Sequence, residues 1–409
     1  MKILLVNKFH YLKGGSETYY FALAELLRSA GHEVIFFSMK DEKNIYSEQE
    51  DYFVNNVDLN SKNISKIIKK ANIFYSFEAK RKIRQLLKVE KPDIVHIGLA
   101  HKQITLSIID AIKEEKIPIV FSVHDLIFVA PCYTMLSKDG SCEKCIEIGI
   151  RQCIKKKCIK DSRLKSIMAF LENKFINIKK LYNKVDLFLA ECEFYEDILK
   201  KSNFTTTKIM TMPNFLPISK SFEKYKVNGE YFLYFGRFSK EKGVITLLKA
   251  YKSSGITTPL YLVGGGPEEV NIRNYIEKNK LDSVKMLGYV YGIEMEEVLK
   301  KAKAVIVPSE WYENCPYTII ESMAKSKIVI ASNIGGLREL INDNKTGFLF
   351  KAGNIDDLSR KIEIVNNLSE EEQIKIRDTI YEFAREKFNA NKYLEKLINI
   401  YNDLIYINK

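Results

Sequence analysis

The sequence predicts an α/β protein of two doubly wound, Rossmann-like domains facing a central cleft. Three observations carry that expectation. Short β-branched and aromatic runs alternate with amphipathic stretches along the chain, the pattern of parallel strands joined by crossover helices. At 409 residues the chain exceeds the roughly 100 to 200 that one hydrophobic core organises. Met-Pro-Asn-Phe-Leu-Pro, 212 to 217, then sets two prolines close together where the first alternating series ends, and reads as an interdomain linker.

Strands are expected at 2–7, 33–38, 93–98, 118–124, 186–191 and 208–213. A helix follows the first strand, with Ser16 as N-cap and Gly31 as C-cap. A cysteine-rich insertion, 131–160, interrupts the series, which resumes with a long helix over 162–184. After the linker, strands at 231–236, 259–264, 284–290, 304–308 and 328–332 alternate with helices at 243–254, 268–279, 292–302, 316–326 and 336–342. Helices at 355–366, 370–387 and 391–406 complete the chain. Domains are accordingly expected over 1–212 and 213–389. Paired doubly wound domains place ligands at the carboxyl ends of both sets of strands.

Composition excludes several classes. With 46% hydrophobic and 28% charged residues the chain is neither disordered nor membrane-spanning. The N-terminal apolar run is too short for a secretion signal, so the cytoplasm is the expected compartment. The net charge of +12 is uneven, because 35 basic and 26 acidic side chains fall within 1–212. Lys62, Lys66, Lys69, Lys70, Lys80, Arg81, Lys82, Arg84 and Lys88 interleave with Ile64, Ile67, Ile68, Ile73, Phe74 and Phe77. That mixture suits amphipathic helices on an anionic membrane surface, or a solvated basic face. A nucleic-acid partner is not expected, since no binding motif accompanies the charge.

Each half carries a glycine-bearing turn after a strand, Lys13-Gly14-Gly15-Ser16-Glu17 and Gly264-Gly265-Gly266-Pro267-Glu268. Glycine lets backbone approach a ligand, and the following helix aims unpaired N–H groups at it; glycine also serves turn geometry alone. Neither turn has the Gly-x-Gly-x-x-Gly spacing of a nicotinamide or flavin dehydrogenase. In Gly236-Arg237-Phe238-Ser239-Lys240-Glu241-Lys242-Gly243, Arg237 follows a strand and Lys242 precedes a helix, so both can meet a diphosphate at the cleft mouth. In Glu-Trp-Tyr-Glu-Asn-Cys-Pro-Tyr-Thr-Ile-Ile-Glu, 310–321, Pro316 sets the start of a helix. Glu313 then lies in the loop before it and Glu321 more than a turn inside it, so the two carboxylates face different parts of a ligand.

Taken together, Gly-Gly-x-Glu at 14–17, His124-Asp125, Gly-Arg-(x4)-Lys-Gly at 236–243, Gly-x-Gly-Pro at 264–267, Pro308-Ser309, Glu-(x7)-Glu at 313–321, Gly335-Gly336 and Gly347 resemble the family 4 glycosyltransferases. The resemblance runs over nearly the whole chain. It implies the GT-B fold and metal-independent, retaining transfer of a hexosyl or N-acetylhexosaminyl group from a nucleotide sugar. UDP is expected ahead of GDP, with a saccharide or lipid-linked acceptor in surface polysaccharide or glycolipid synthesis at the inner face of the cell membrane. It also implies that the C-terminal helix, 390–409, crosses back to the first domain. By the same resemblance Arg237 and Lys242 hold the diphosphate, Glu321 binds the ribose, and Glu313 with the backbone of Asn314, Cys315, Pro316 and Tyr317 addresses the donor sugar. Gly15 and Gly266 line the donor, Tyr289 and Val290 lie near the base, and His124 contacts the transferring sugar, unless a loop carbonyl satisfies it. Asn314-Cys315 replace the family's common Gly-Phe, and Ser322 and Lys325-Ser326 replace its usual alanine and glycine.

The insertion holds Cys132, Cys142, Cys145, Cys153 and Cys158. Cys142-x-x-Cys145 and Cys153-(x4)-Cys158 have the spacing of a structural zinc site, free buried thiols are the alternative, and disulfides come last in a reducing compartment. Two competing functions share the scaffold, a catalytically inactive nucleotide-sugar-binding partner and a nucleotide-sugar epimerase. The retained Arg237, Lys242, Glu313 and Glu321 favour transfer over both.

Overall fold

The structure is a computed structural model that describes residues 1–56, 74–137, 140–225 and 229–408. Lys62, Ile64, Lys66, Ile67, Ile68, Lys69, Lys70 and Ile73 of the basic stretch lie outside the described residues.

Two six-stranded parallel sheets organise the chain. The first holds β1 (Lys2–Val6), β2 (Glu33–Phe37), β3 (Ile94–Ile97), β4 (Ile119–Val123), β7 (Leu187–Ala190) and β8 (Ile209–Thr211) in the order β2-β1-β3-β4-β7-β8. A separate antiparallel pair, β5 (Leu136–Ser137) and β6 (Gly140–Ser141), belongs to the insertion. The second sheet holds β9 (Tyr231–Phe235), β10 (Leu260–Val263), β11 (Val284–Gly288), β12 (Ala302–Val307), β13 (Ile328–Ser332) and β14 (Phe348–Phe350) in the order β11-β10-β9-β12-β13-β14. In both sheets the order reverses beside the first strand, between β1 and β3 and between β9 and β12. Such reversals open a crevice at the carboxyl ends of the strands. This is the GT-B arrangement, two Rossmann-like doubly wound domains around a cleft.

Strand composition follows from coverage on both faces. Ile3, Leu4, Leu5 and Val6 of β1 and the whole of β4 and β13 are buried, which is why they read as continuous apolar runs. The helix Gly15–Ser29 buries Tyr19, Tyr20, Leu23, Leu26 and Leu27 at helical spacing. Ser16 is not its cap. Extended Gly14 takes that position without a side-chain bond, and Ser16, one residue inside, donates to Glu17 instead. The helix after the insertion is also shorter than expected: Arg163–Ile178, because Lys180 turns the chain at φ 49°. β11 likewise stops at Gly288, at φ 72°. The short strand β14 has no counterpart in the expected series.

The C-terminal helix Ala390–Asn408 returns to the first sheet. Its Tyr393 hydroxyl lies 2.7 Å from that of Tyr19, and Tyr401 bonds His96 Nδ1. His96 Nε2 reaches Ser122 Oγ at 2.7 Å, and burial pushes the His96 pKa down to about 3, so this buried chain is held together by neutral groups. Among the described residues no helix is long and apolar enough to cross a membrane.

Candidate active site

The second sheet's reversal is filled by a single buried carboxylate. Glu313, 3% exposed, accepts from Lys242 Nζ at 2.6 Å and from Ser309 Oγ at 2.6 Å. Ser309 follows β12 and Lys242 lies in a 3-10 turn after β9, so two neighbouring strands deliver the pair. Burial alone would raise the Glu313 pKa. The charge of Lys242 and the bonds from Lys242 and Ser309 outweigh it and hold the carboxyl below its ordinary value. Lys242 Nζ also lies 5.3 Å from the centre of the Trp311 ring. Arg237 is exposed beside this cluster, its carbonyl accepting from Tyr234 OH at 2.8 Å.

Glycines let these loops close on one another. A Cβ on Gly243, at φ 68°, would fall 2.0 Å from the carbonyl oxygen of Pro308. On Gly266 it would fall 2.4 Å from the carbonyl oxygen of Phe238. The absent side chain at Gly266 thus admits neighbouring backbone. Gly335 and Gly336 press on the backbone of Glu313 and Asn314 in the same way, and Gly336 N donates to Glu313 O at 2.7 Å.

His124 stands where β4 ends. Its Nδ1 bonds the carboxylate of Glu191, which follows β7, and both side chains are buried. Burial lowers the imidazole pKa, but the Glu191 charge and hydrogen bond overcome it, so the value lies above the ordinary 6.5. A carboxylate, and not a loop carbonyl, therefore satisfies His124 on that side. Nε2 is buried and has no partner among the described residues. It faces the first sheet's reversal, where a Cβ on Gly98 would meet His124 Nε2 at 3.3 Å and Asn7 Oδ1 at 3.2 Å. Asn7 Oδ1 accepts from Leu99 N at 3.0 Å and its amide donates to buried Glu17 at 3.2 Å. Gly15 is exposed, and a Cβ there would meet nothing within 4 Å.

The halves touch through the same residues. Asn314 Nδ2 donates to His124 O at 3.0 Å, Tyr195 OH donates to Tyr312 O at 3.0 Å, and Glu339 accepts from the Glu193 and Phe194 amides, both at 2.7 Å. The structure thus brings His124, Lys242, Glu313 and Asn314 together around one cleft.

The remaining candidates are placed differently. The Cys315 side chain is buried, and its carbonyl accepts from Asn214 Nδ2 at 2.9 Å, so only backbone is offered there. Pro316 is the N-cap of the helix Tyr317–Ala324, just ahead of the first turn, where its missing N–H costs no helical bond. The hydroxyl of buried Tyr317 has no partner among the described residues. Glu321 pairs with Lys220 at 2.9 Å. Tyr289 is 64% exposed and stacks on Tyr291, while Val290 beside it is half-buried. The family departure at 326 has a conformational counterpart, because Ser326 occupies φ 57°, a region that favours glycine.

Cys132, Cys142, Cys145, Cys153 and Cys158 are free thiols. Burial and their mutual proximity push Cys145 up to about 12 and Cys153 to about 11, and Cys153 Sγ donates to the Ser166 carbonyl at 3.5 Å. Among the described residues no group of three or more such side chains is gathered to hold a metal ion.

Sequence reasoning overlooked Glu191, Ser309 as a ligand of Glu313, and Lys220 as the partner of Glu321. Only Glu191 left a signal, a carboxylate directly following a buried strand.

Known proteins resemble both halves. The family description Glycosyltransferase Family 4 matches residues 13–220, and Glycosyl transferases group 1 matches 218–387. An uncharacterized glycosyltransferase of Methanocaldococcus jannaschii is 34% identical over 42% of this chain, and the chain spans about half, 48%, of that relative's length. N-acetyl-alpha-D-glucosaminyl L-malate synthase of Bacillus anthracis is 23% identical over 96% of this chain and 94% of its own. The Anabaena protein HepE, solved in complex with UDP, superposes with a TM-score of 0.70 at 16% identity, covering 98% of this chain and all of the other. The match over residues 13–220 takes in half of the chain and establishes that this protein belongs to glycosyltransferase family 4.

Proposed function

We propose that the protein is a retaining, metal-independent transferase that moves a hexosyl or N-acetylhexosaminyl group from a UDP-sugar to a saccharide or lipid-linked acceptor. The acceptor belongs to surface polysaccharide or glycolipid synthesis. One observation carries the reading: a Lys242–Glu313–Ser309 cluster at one sheet reversal faces a His124–Glu191 pair with an unpartnered Nε2 at the other. The UDP choice draws on the UDP complex of HepE, and the N-acetylhexosaminyl option on the Bacillus anthracis relative.

Breaking the anomeric C–O bond leaves negative charge on the β-phosphate of UDP. Arg237 offers a forked contact to it and Lys242 a point charge, the lysine held by Glu313 before the charge develops. Glu313 holds Lys242 in place and accepts from a donor-sugar hydroxyl. Glu321, its position set by Lys220, accepts from the ribose hydroxyls, and Tyr289 with Val290 flanks the base. His124 donates from Nε2 to the transferring sugar. The acceptor attacks from the face that UDP leaves, and the departing phosphate takes the acceptor proton. No protein nucleophile is required.

The test is UDP release from a panel of nucleotide sugars in the presence of a membrane-extract acceptor. One donor should support turnover, and Lys242→Ala and Glu313→Ala should each lower it by about 100-fold or more. Turnover with no donor, or unaffected variants, would overturn the assignment; binding without turnover would favour an inactive nucleotide-sugar-binding partner.

A further inference from the structure

We infer that the outward face of the helix Arg163–Ile178 docks on an anionic lipid bilayer. This surface lies outside the Lys242 and His124 clusters and does not depend on which sugar is transferred. The helix carries an apolar stripe on the side away from its buried face. Leu164, Leu171 and Ile178 recur every seventh residue, hence on one side, and are 70%, 45% and 69% exposed. Ser166 and Asn173, also seven apart, are buried on the other side together with Ile176. The inward polar face has work within the chain: Ser166 Oγ accepts from Ile159 N at 3.1 Å, and Asn173 accepts from Asn177 at 3.1 Å. No such constraint explains the leucines.

Charge identifies the occupant. Residues 151–180 hold ten lysines and arginines against Asp161 and Glu172. Arg163, Lys165, Lys174, Lys179 and Lys180 are exposed, and among the described residues none of them forms an ion pair. In the earlier basic stretch Lys80 and Arg84 pair with Glu114 and Lys82 donates to the carbonyls of Asp51 and Phe53, so of its described cations only Arg81 and Lys88 stand exposed without an ion pair. A second copy docking face to face on the leucine stripe would juxtapose like charges. An anionic bilayer accepts the apolar stripe among its acyl chains and the flanking cations among its headgroups.

The test uses the full chain and vesicles of phosphatidylcholine with or without phosphatidylglycerol, read by co-sedimentation. The wild type should bind the anionic vesicles at least about tenfold more tightly than the neutral ones, and lose that advantage when salt shortens the Debye length to about 3 Å. Leu164→Ser/Leu171→Ser/Ile178→Ser and Lys174→Glu/Lys179→Glu/Lys180→Glu should each weaken binding about tenfold or more, with unchanged circular dichroism and UDP release in solution. Equal binding of wild type and variants, or no binding to anionic vesicles, would overturn the inference. So would a wild-type dimer that the serine variant dissociates, which would make a second copy the occupant. Vesicle binding is read apart from turnover, so failure of the transferase reading would leave this result intact.

Discussion

The two sides of the cleft are built by opposite means. Around Glu313 the groups are already paired: its carboxylate is partnered by Lys242 and Ser309, and glycines let the loops touch backbone to backbone. Around His124 an imidazole nitrogen is left without a partner, and Gly15 looks onto open space. In the proposed function the Glu313 side takes a diphosphate common to a whole class of donors, which a rigid, pre-organised cradle suits. The side that admits an acceptor has to leave polar atoms free until the substrate arrives, at the cost of an unsatisfied buried group.

Substitutions can break that contrast. Gly243→Ala should have the largest effect on folding, because its Cβ would overlap the Pro308 carbonyl and the backbone is left-handed. A loss of roughly 3–5 kcal/mol is expected in chemical denaturation. Gly15→Ala should do the reverse, leaving stability unchanged or raised by up to about 1 kcal/mol while kcat/KM falls about tenfold. Equal destabilisation by the two changes would erase the distinction.

Glu191→Gln sharpens the acceptor side. It removes the charge that raises the His124 pKa, so burial, the largest influence, is left to lower it. A raised folded pKa stabilises fully below the ordinary value of 6.5 and less as pH climbs through the raised value, so wild-type stability should decline across that window. The variant should lack that decline, and its pH–rate profile should lose its basic limb from the same range. The smallest effect is expected at Ser326→Gly. Relief of the left-handed conformation opposes loss of the Ser326 Oγ bond to the Glu223 carbonyl, leaving a change below about 1 kcal/mol in thermal denaturation.

The alternation of strands and helices was legible because parallel strands covered on both faces are apolar throughout and so stand out from their amphipathic neighbours. β14 was not, since Phe348–Phe350 is too short to show a period. The Lys242 and Glu313 positions were legible from spacing and Pro316, while their direct contact was not, because it depends on β9 and β12 being neighbours across 71 residues of sequence. Glu191 was hidden among Glu193, Glu196 and Asp197, which have the same composition but not its place at a strand end. The exposure of Leu164, Leu171 and Ile178 was not legible, since seven-residue spacing names a helix face without saying which way it points. At Gly266 a turn glycine suggested ligand approach, and the structure adds a packing reason for it, since a Cβ there would meet the Phe238 backbone.

Calorimetric titration of UDP into the wild type, Lys242→Ala and His124→Ala tests the division most directly. The account predicts that Lys242→Ala loses UDP affinity by about 30-fold or more, whereas His124→Ala binds UDP within about twofold of wild type yet turns over at least about 100-fold more slowly. Equal loss of UDP affinity in both variants, or undiminished affinity in Lys242→Ala, would contradict it.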